Sequence, residues 1–253
     1  MTGFGSLFYF RERIFLGCAG ILTEFHSHYA ASILFSERKP FLLHCQRNVL
    51  TTNAVILPPN YFHKLEAPET NIFVIQLDPK TEEYKSLKLN REPKLIPDQT
   101  ANIISDLAKP ILYEDINCES VKHLYSKILN ELGSSSSLVT ELDPRIEQAI
   151  EIISNILPEG IRIREISEKT GLSPDRFMHL FKENMGIPLR QFLLWKRLHI
   201  AAKHLQTGGN LTEASHSAGF SDQAHLSRTF KKMFGVKPSL FLGGSQLKKV
   251  CFC

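Results

Sequence analysis

Long apolar runs are missing from this sequence of 253 residues. None approaches the roughly 20 residues that a helical membrane span needs, so no membrane partner is expected. The opening segment, MTGFGSLFYFRERIF, lacks a basic stretch ahead of its apolar residues. A secretory signal peptide is therefore not expected. Cysteine is scarce too: Cys18, Cys45, Cys118, Cys251 and Cys253 form an odd, scattered set. Such a set does not read as a disulfide framework and fits a reducing cytoplasm. Cys251-Phe252-Cys253 stands alone, without the further ligands of a zinc site, and reads as a frayed tail.

What is present is ordinary for a globular chain, with 43% hydrophobic and 22% charged residues. The charge is unevenly placed. From Asp143 onward there are 16 Lys and Arg against 10 Asp and Glu, a net of +6; the part before it has 14 against 16, a net of −2. A basic C-terminal part suggests a polyanionic partner, nucleic acid first, with ordinary surface charge as the alternative.

Three regions follow from the patterning. From about Phe8 to Asp78, short runs rich in Ile, Val and Phe, such as NAVILPP and TNIFVIQLDP, are bounded by turn residues. They predict strands, and several close together predict a small barrel or sandwich. From about Pro97 to Leu132 the period becomes helical, with Val121, Leu124, Tyr125, Ile128, Leu129 and Leu132 on one stripe. This stripe either packs on the barrel or makes a dimer. Gly133-Ser-Ser-Ser-Ser137 reads as a flexible linker. The expected division is 1–85 for the barrel, 86–132 for a helical extension, 133–142 for the linker and 143–253 for an all-helical domain with no strand pattern.

The C-terminal region carries the chemistry. In IRIREISEKTGLSPDRFMHLFKENMG a short helix meets a turn at Gly171, where a positive φ is needed. Ser173 caps the next helix, and Pro174 takes its first position. Phe177, Leu180 and Phe181 bury one face while Arg176, His179 and Lys182 stay on the other. Leu211 to Phe234 repeats the arrangement, with the turn at Gly219 and Ser221 as the expected cap. GLSPDRFMHLFK and GFSDQAHLSRTFK share the glycine, the serine, the apolar spacing and the Phe-Lys ending, with one residue inserted. A helix, a tight turn and a second helix with a polar outer face is helix-turn-helix grammar, and two copies are far more specific than one. Pro188 to Leu205 predicts a single helix that would hold the copies at a fixed separation.

The stretch from about Asp143 to Leu242 resembles the AraC/XylS family of transcription regulators. Arg197-Leu198 with Ala201 and Ala202, and GFSDQAHLSRTFKKMFGVKPS from Gly219 to Ser239, carry the resemblance. Phe241-Leu242 departs from it, where the family usually has Tyr-Arg. The resemblance implies base-edge or groove contacts from Asp175, Met178 and His179, and from Gln223, Ala224, Ser227 and Arg228. Chemically, Gln223 suits adenine and Arg228 suits guanine or phosphate, whereas Asp175 would repel phosphates. Arg197, Lys231 and Lys232 suit phosphates, which position a protein without reading sequence. The partner implied is double-stranded DNA. RNA polymerase, a small-molecule ligand and a second copy of the chain are further partners the resemblance raises. An activator or repressor is expected, with no catalytic residues and no cofactor.

The N-terminal region is similar to the small cupin barrel common in that family. The fold class expected is therefore a cupin-like β-barrel with helices followed by an all-α double helix-turn-helix domain. In cupins a His-x-His pair and a later His can bind metal, and here His26, His28 and His63 fill those places, with His44 competing. Hydrogen-bonded histidines without metal are the favoured expectation. The alternative function is a metal-dependent cupin enzyme with an accessory DNA-binding domain. Methyl-accepting repair chemistry would need a cysteine cluster that Cys18, Cys45 and Cys118 do not form in sequence.

Overall fold

A computed structural model describes residues 5–10, 13–79, 81–133, 142–185, 187–238 and 249–253. The chain forms two compact units, Met1–Leu138 with Phe230–Cys253, and Val139–Thr229.

The first unit is built on a sheet. Its strands are β1 (Gly5–Phe10), β2 (Arg13–Leu22), β3 (Ala31–Ser36), β4 (Phe41–Cys45), β5 (Val49–Thr52), β6 (Ala54–Leu57), β7 (His63–Leu77), β8 (Lys94–Leu95) and β9 (Lys249–Phe252). The main path runs β8-β6-β3-β7-β2-β1-β9, and β4 and β5 branch from the start of β7. Every pairing is antiparallel except β1 with β9. β7, at 15 residues, organises the sheet by pairing with β2, β3 and β4. Among the described residues the path does not close on itself. The expected barrel is therefore an open antiparallel sheet, with β8 and β9 at its ends.

Strand periodicity divides the core between the two faces. Phe15, Ile33, Phe35, Phe73 and Ile75 belong to one cluster; their neighbours Leu16, Leu34 and Ile72 belong to the other. Three helices, α2 (Asp98–Ala108), α3 (Pro110–Tyr113) and α4 (Cys118–Glu131), cover the first face; the short α1 (Glu82–Ser86) precedes them. The stripe on α4 goes into this core: Val121, Tyr125, Ile128 and Leu129 are buried in it, and Leu124 and Leu132 pack against it. At roughly 1.5–3 kcal/mol for each large apolar side chain, this stripe is a substantial part of the unit's stability.

Two cysteine expectations are corrected. Cys118 and Cys253 form a disulfide with Cα atoms 5.5 Å apart, although they are separated by 135 residues. Cys251 and Cys253 do not lie in a frayed tail, because Lys249–Phe252 adds to β1 as a parallel strand. Strand addition to a sheet edge can be supplied by any chain segment, so spacing carried no sign of it. Of the expected linker, 133–142, positions 134–141 lie outside the described residues, as do Phe241 and Leu242.

The second unit is helical: α5 (Pro144–Ile156), α6 (Ile163–Lys169), α7 (Pro174–Met185), α8 (Leu189–Gln206), α9 (Leu211–Ser217) and the start of α10 (Gln223–Phe234). Asp143 caps α5 by accepting from the Arg145 backbone N–H. Pro188 sets the start of α8, whose buried residues Phe192, Trp195, Leu198 and Ala201 recur at helical spacing.

Candidate nucleic-acid interface

Each helix pair turns on a glycine. Gly171 follows α6 with φ of 68°, and Gly219 follows α9 with φ of 73°, as expected for turns that demand the left-handed region. The two helix starts then differ. The Ser173 hydroxyl accepts from the Arg176 backbone N–H at 3.3 Å, which caps α7. At α10 the expected cap, Ser221, is displaced by Asp222, which accepts from the His225 backbone N–H at 2.6 Å. The inserted residue in the second copy moves the helix start one position further from its glycine. Asp222 then supplies a carboxylate to orphan N–H groups, and those hydrogen bonds hold its carboxyl below the usual range. On α9, Asn210 and Glu213 form a reciprocal capping box.

On α7, Phe177, Leu180, Phe181 and Met185 are buried. Asp175, Arg176, His179 and Lys182 are exposed and Met178 is half-buried. Asp175, Met178, His179 and Lys182 fall at i, i+3, i+4 and i+7, one helix face. On α10 the same spacing selects Ala224, Ser227, Arg228 and Lys231. Ala224 and Arg228 are exposed; Ser227 and Lys231 are half-buried. Of the base-edge contacts that the resemblance implies, Asp175, Met178 and His179 thus share one face of α7, and Ala224, Ser227 and Arg228 share one face of α10. Gln223 stands exposed beside the second face, and its side-chain oxygen accepts from the Thr212 hydroxyl at 3.2 Å. His179 is held by the Asp175 carbonyl at 2.9 Å through its Nδ1.

The expected phosphate-binding residues differ in their surroundings. Lys232 is exposed. Lys231, in the first unit, pairs with Glu24 at 2.6 Å. Arg197 is half-buried on α8, close beside the Gly219 turn. Trp195 is 1% exposed and stands edge-on to His199, with ring centres 4.6 Å apart. Phe181 and Phe192 join α7 to α8 through rings 5.4 Å apart.

In the first unit, His26, His28 and His63 are all buried, and one ring nitrogen of each lies within 4.8 Å of the other two. The sheet brings them together, because His26 and His63 are bridge partners and His28 is two residues from His26. A cavity of about 60 Å³ opens beside them, lined also by Thr23, Ser32 and Gln76. His44 is not in this cluster; its Nε2 pairs with Glu66 at 3.1 Å. Sequence pattern named the three histidines, but Gln76 could not have been chosen from spacing.

Paired helix-turn-helix units with polar outer faces, carried on one connecting helix, define a DNA-binding class of fold. The model for the helix-turn-helix domain matches residues 166–243. The arabinose operon regulatory protein of Escherichia coli (strain K12) is 32% identical over 116 residues, which are 45% of this chain and 40% of that protein. The "Probable transcription factor PqrA" of Proteus vulgaris is 37% identical over 84 residues, 33% of this chain and 69% of that one. The chain belongs to the AraC/XylS family of transcription regulators. It spans about two fifths of the length of the first curated relatives it matches. Across both units the fold is like that of ToxT from Vibrio cholerae O395, with a TM-score of 0.59 at 14% identity, covering 96% of each chain. Another solved form, unsaturated fatty acid bound wild-type ToxT, gives a TM-score of 0.55 at 14% identity, covering 95% of this chain and 93% of that one.

Proposed function

We propose that this protein is a sequence-specific DNA-binding transcription regulator that reads two successive major grooves. The observation that carries the proposal is the matched pair of faces, Asp175-Met178-His179-Lys182 on α7 and Ala224-Ser227-Arg228-Lys231 on α10. A recognition helix enters the major groove along such a face, and two helices on one rigid connector suit half-sites near one helical turn, roughly 34 Å, apart. Gln223 and Arg228 are the direct readers; exposed Lys182 and Lys232, with Arg176 and Arg197, meet phosphates. Lys231 contributes to DNA only after leaving Glu24. Selection from a random double-stranded library tests the reading. Two enriched half-sites about one turn apart are expected, and a library that emerges without enrichment overturns it.

The first unit is the regulatory part of this reading. Some structures of ToxT hold an unsaturated fatty acid, but the histidine cavity here, at about 60 Å³, has room for an ion or a few waters and not for a long acyl chain. The lining residues include no carboxylate, lysine or arginine. The curated relatives that the chain matches are regulators of transcription, which supports this reading over the alternative of a metal-dependent enzyme. The protein works in the cytoplasm, with its DNA, and contact with RNA polymerase or a second copy would follow from its place at a promoter.

A further inference from the structure

Strand β9 is fastened to the first unit by more than its ladder. It has four residues and pairs with β1 in parallel, at one end of the sheet path. Parallel pairing is the weaker kind per residue, and an edge strand is paired on one side alone. Three further contacts hold it. The Cys253 backbone N–H donates to the Tyr9 carbonyl at 2.7 Å. Lys249 Nζ donates to Asp115 Oδ1 at 2.6 Å and to the Ile116 carbonyl at 2.8 Å, just ahead of α4. Cys253 is bonded to Cys118, the first residue of α4. Lys249 and Cys253 thus both meet the start of α4, and Cys251 between them packs on the core that α4 covers, as the strand period of two requires.

The bond is open to exchange. Cys253 is exposed and Cys118 half-buried, whereas Cys18 and Cys45 are buried free thiols. Burial pushes the Cys18 thiol up to about 12, far from the reactive thiolate form. Cys118 opens a helix of 14 residues, where unpaired backbone N–H groups favour negative charge on its sulfur. A sulfur that carries charge easily leaves easily, so attack at the exposed Cys253 Sγ expels Cys118. Exposed disulfides are the labile and regulatory ones, and in a reducing compartment a disulfide is transient. The segment that the bond holds also carries the end of the second recognition helix. Lys231 on α10 pairs with Glu24 at 2.6 Å, and the Glu24 backbone N–H donates to the Gly235 carbonyl at 2.7 Å. Phe230–Cys253 therefore belongs to the first unit at two places, Glu24 and β1. Thirteen residues lie between Gly235 and Lys249. With β9 fixed, that short tether keeps the end of α10 at a high effective concentration near Glu24.

We propose that Cys118–Cys253 is a reversible thiol–disulfide switch, exchanged by a dithiol reductant, whose oxidised form keeps Lys231 on Glu24 and whose reduced form releases it to DNA. The inference rests on the DNA-binding reading above. In the forward step a donor thiolate attacks Cys253 Sγ, the Cys118–Cys253 bond breaks, and Cys118 leaves as a thiolate that takes a proton. The second thiol of the donor then attacks the mixed disulfide and frees Cys253. Two electrons and two protons pass to the chain, and the donor departs as its own disulfide. An oxidised donor drives the reverse.

The full chain is equilibrated in graded mixtures of reduced and oxidised dithiothreitol, and its thiols are alkylated and located by mass spectrometry. A reversible two-electron transition confined to Cys118 and Cys253 is expected, with hydrogen exchange in β9 rising on reduction. Affinity for the selected double-stranded DNA is then read over a salt series for both forms. One more phosphate contact adds about 0.9 to the magnitude of the salt slope, so the reduced form should bind on the order of tenfold more tightly near 0.1 M salt. Cys253→Ser should behave as the reduced form in every mixture, and Cys251→Ser should keep the full response. Lys231→Ala should abolish the difference in DNA affinity and leave the thiol transition intact. The wild-type comparison needs no substitution, so it decides the matter even where a variant misfolds. An irreversible transition, pairing that moves to Cys251, unchanged exchange in β9, or a difference in affinity that survives Lys231→Ala overturns the proposal. Equal, measurable binding by the two forms overturns the switch alone; absence of binding by both overturns the DNA-binding reading and the switch with it.

Discussion

Alanine at each of the two turn glycines should separate conformational strain from steric collision. Both positions hold φ near +70°, so alanine meets the left-handed penalty at each, about 1–2 kcal/mol. Stiffening the unfolded chain returns about 0.4–1 kcal/mol. At Gly171 an added Cβ finds nothing within 4 Å, leaving a net destabilisation of roughly 1 kcal/mol. At Gly219 the same atom would stand 2.6 Å from the Pro158 carbonyl oxygen, which is backbone and cannot swing aside. Displacing it adds about 1–3 kcal/mol, the usual cost of overpacking, for a total near 2–4 kcal/mol. The one tryptophan, Trp195, is buried on α8, so its fluorescence reports the second unit during urea unfolding. Gly219→Ala should shift the midpoint two to four times as far as Gly171→Ala. Equal shifts, or a larger one at Gly171, would refute the steric argument.

Trp195→Ala removes a fully buried indole and should cost roughly 3–5 kcal/mol by circular dichroism; lost DNA affinity at unchanged stability would make it a contact residue instead. Gln223→Ala and Arg228→Ala should each weaken the preferred DNA by about 1–3 kcal/mol and scrambled DNA much less. Lys232→Ala should weaken both alike and lower the magnitude of the salt slope by about 1. Equal losses on both DNAs for the Gln223 and Arg228 variants would remove specificity from α10. Reducing Cys118–Cys253 opens a closure of 135 residues, worth up to about 5 kcal/mol in the loop-entropy account, and should raise hydrogen exchange in β9. Unchanged protection there would show that strand pairing alone holds the segment.

Local grammar made the second unit legible. A glycine where φ must be positive, a cap, a proline at a helix start and a 3.6-residue apolar period all act within a dozen residues, so their meaning survives in one dimension. The displaced cap at Asp222 shows the limit: the inserted residue was visible, but whether Ser221 or Asp222 takes the cap depends on which oxygen reaches the helix N–H groups. The α4 stripe shows the same limit. Its apolar residues were evident, but only the sheet beneath them decided that they fill the chain's own core.

Sequence alone determined the strand-rich beginning, the two helix-turn-helix copies and the His26, His28 and His63 pattern, because periodicity and short-range sterics write these locally. Tertiary structure alone decided the open path of the sheet, the parallel addition of Lys249–Phe252 to β1, the Cys118–Cys253 bond and the place of Gln76 beside the histidines. These depend on which distant segments meet. Such meetings arise from burial and strand pairing summed over the whole chain, and no spacing between neighbouring residues encodes them.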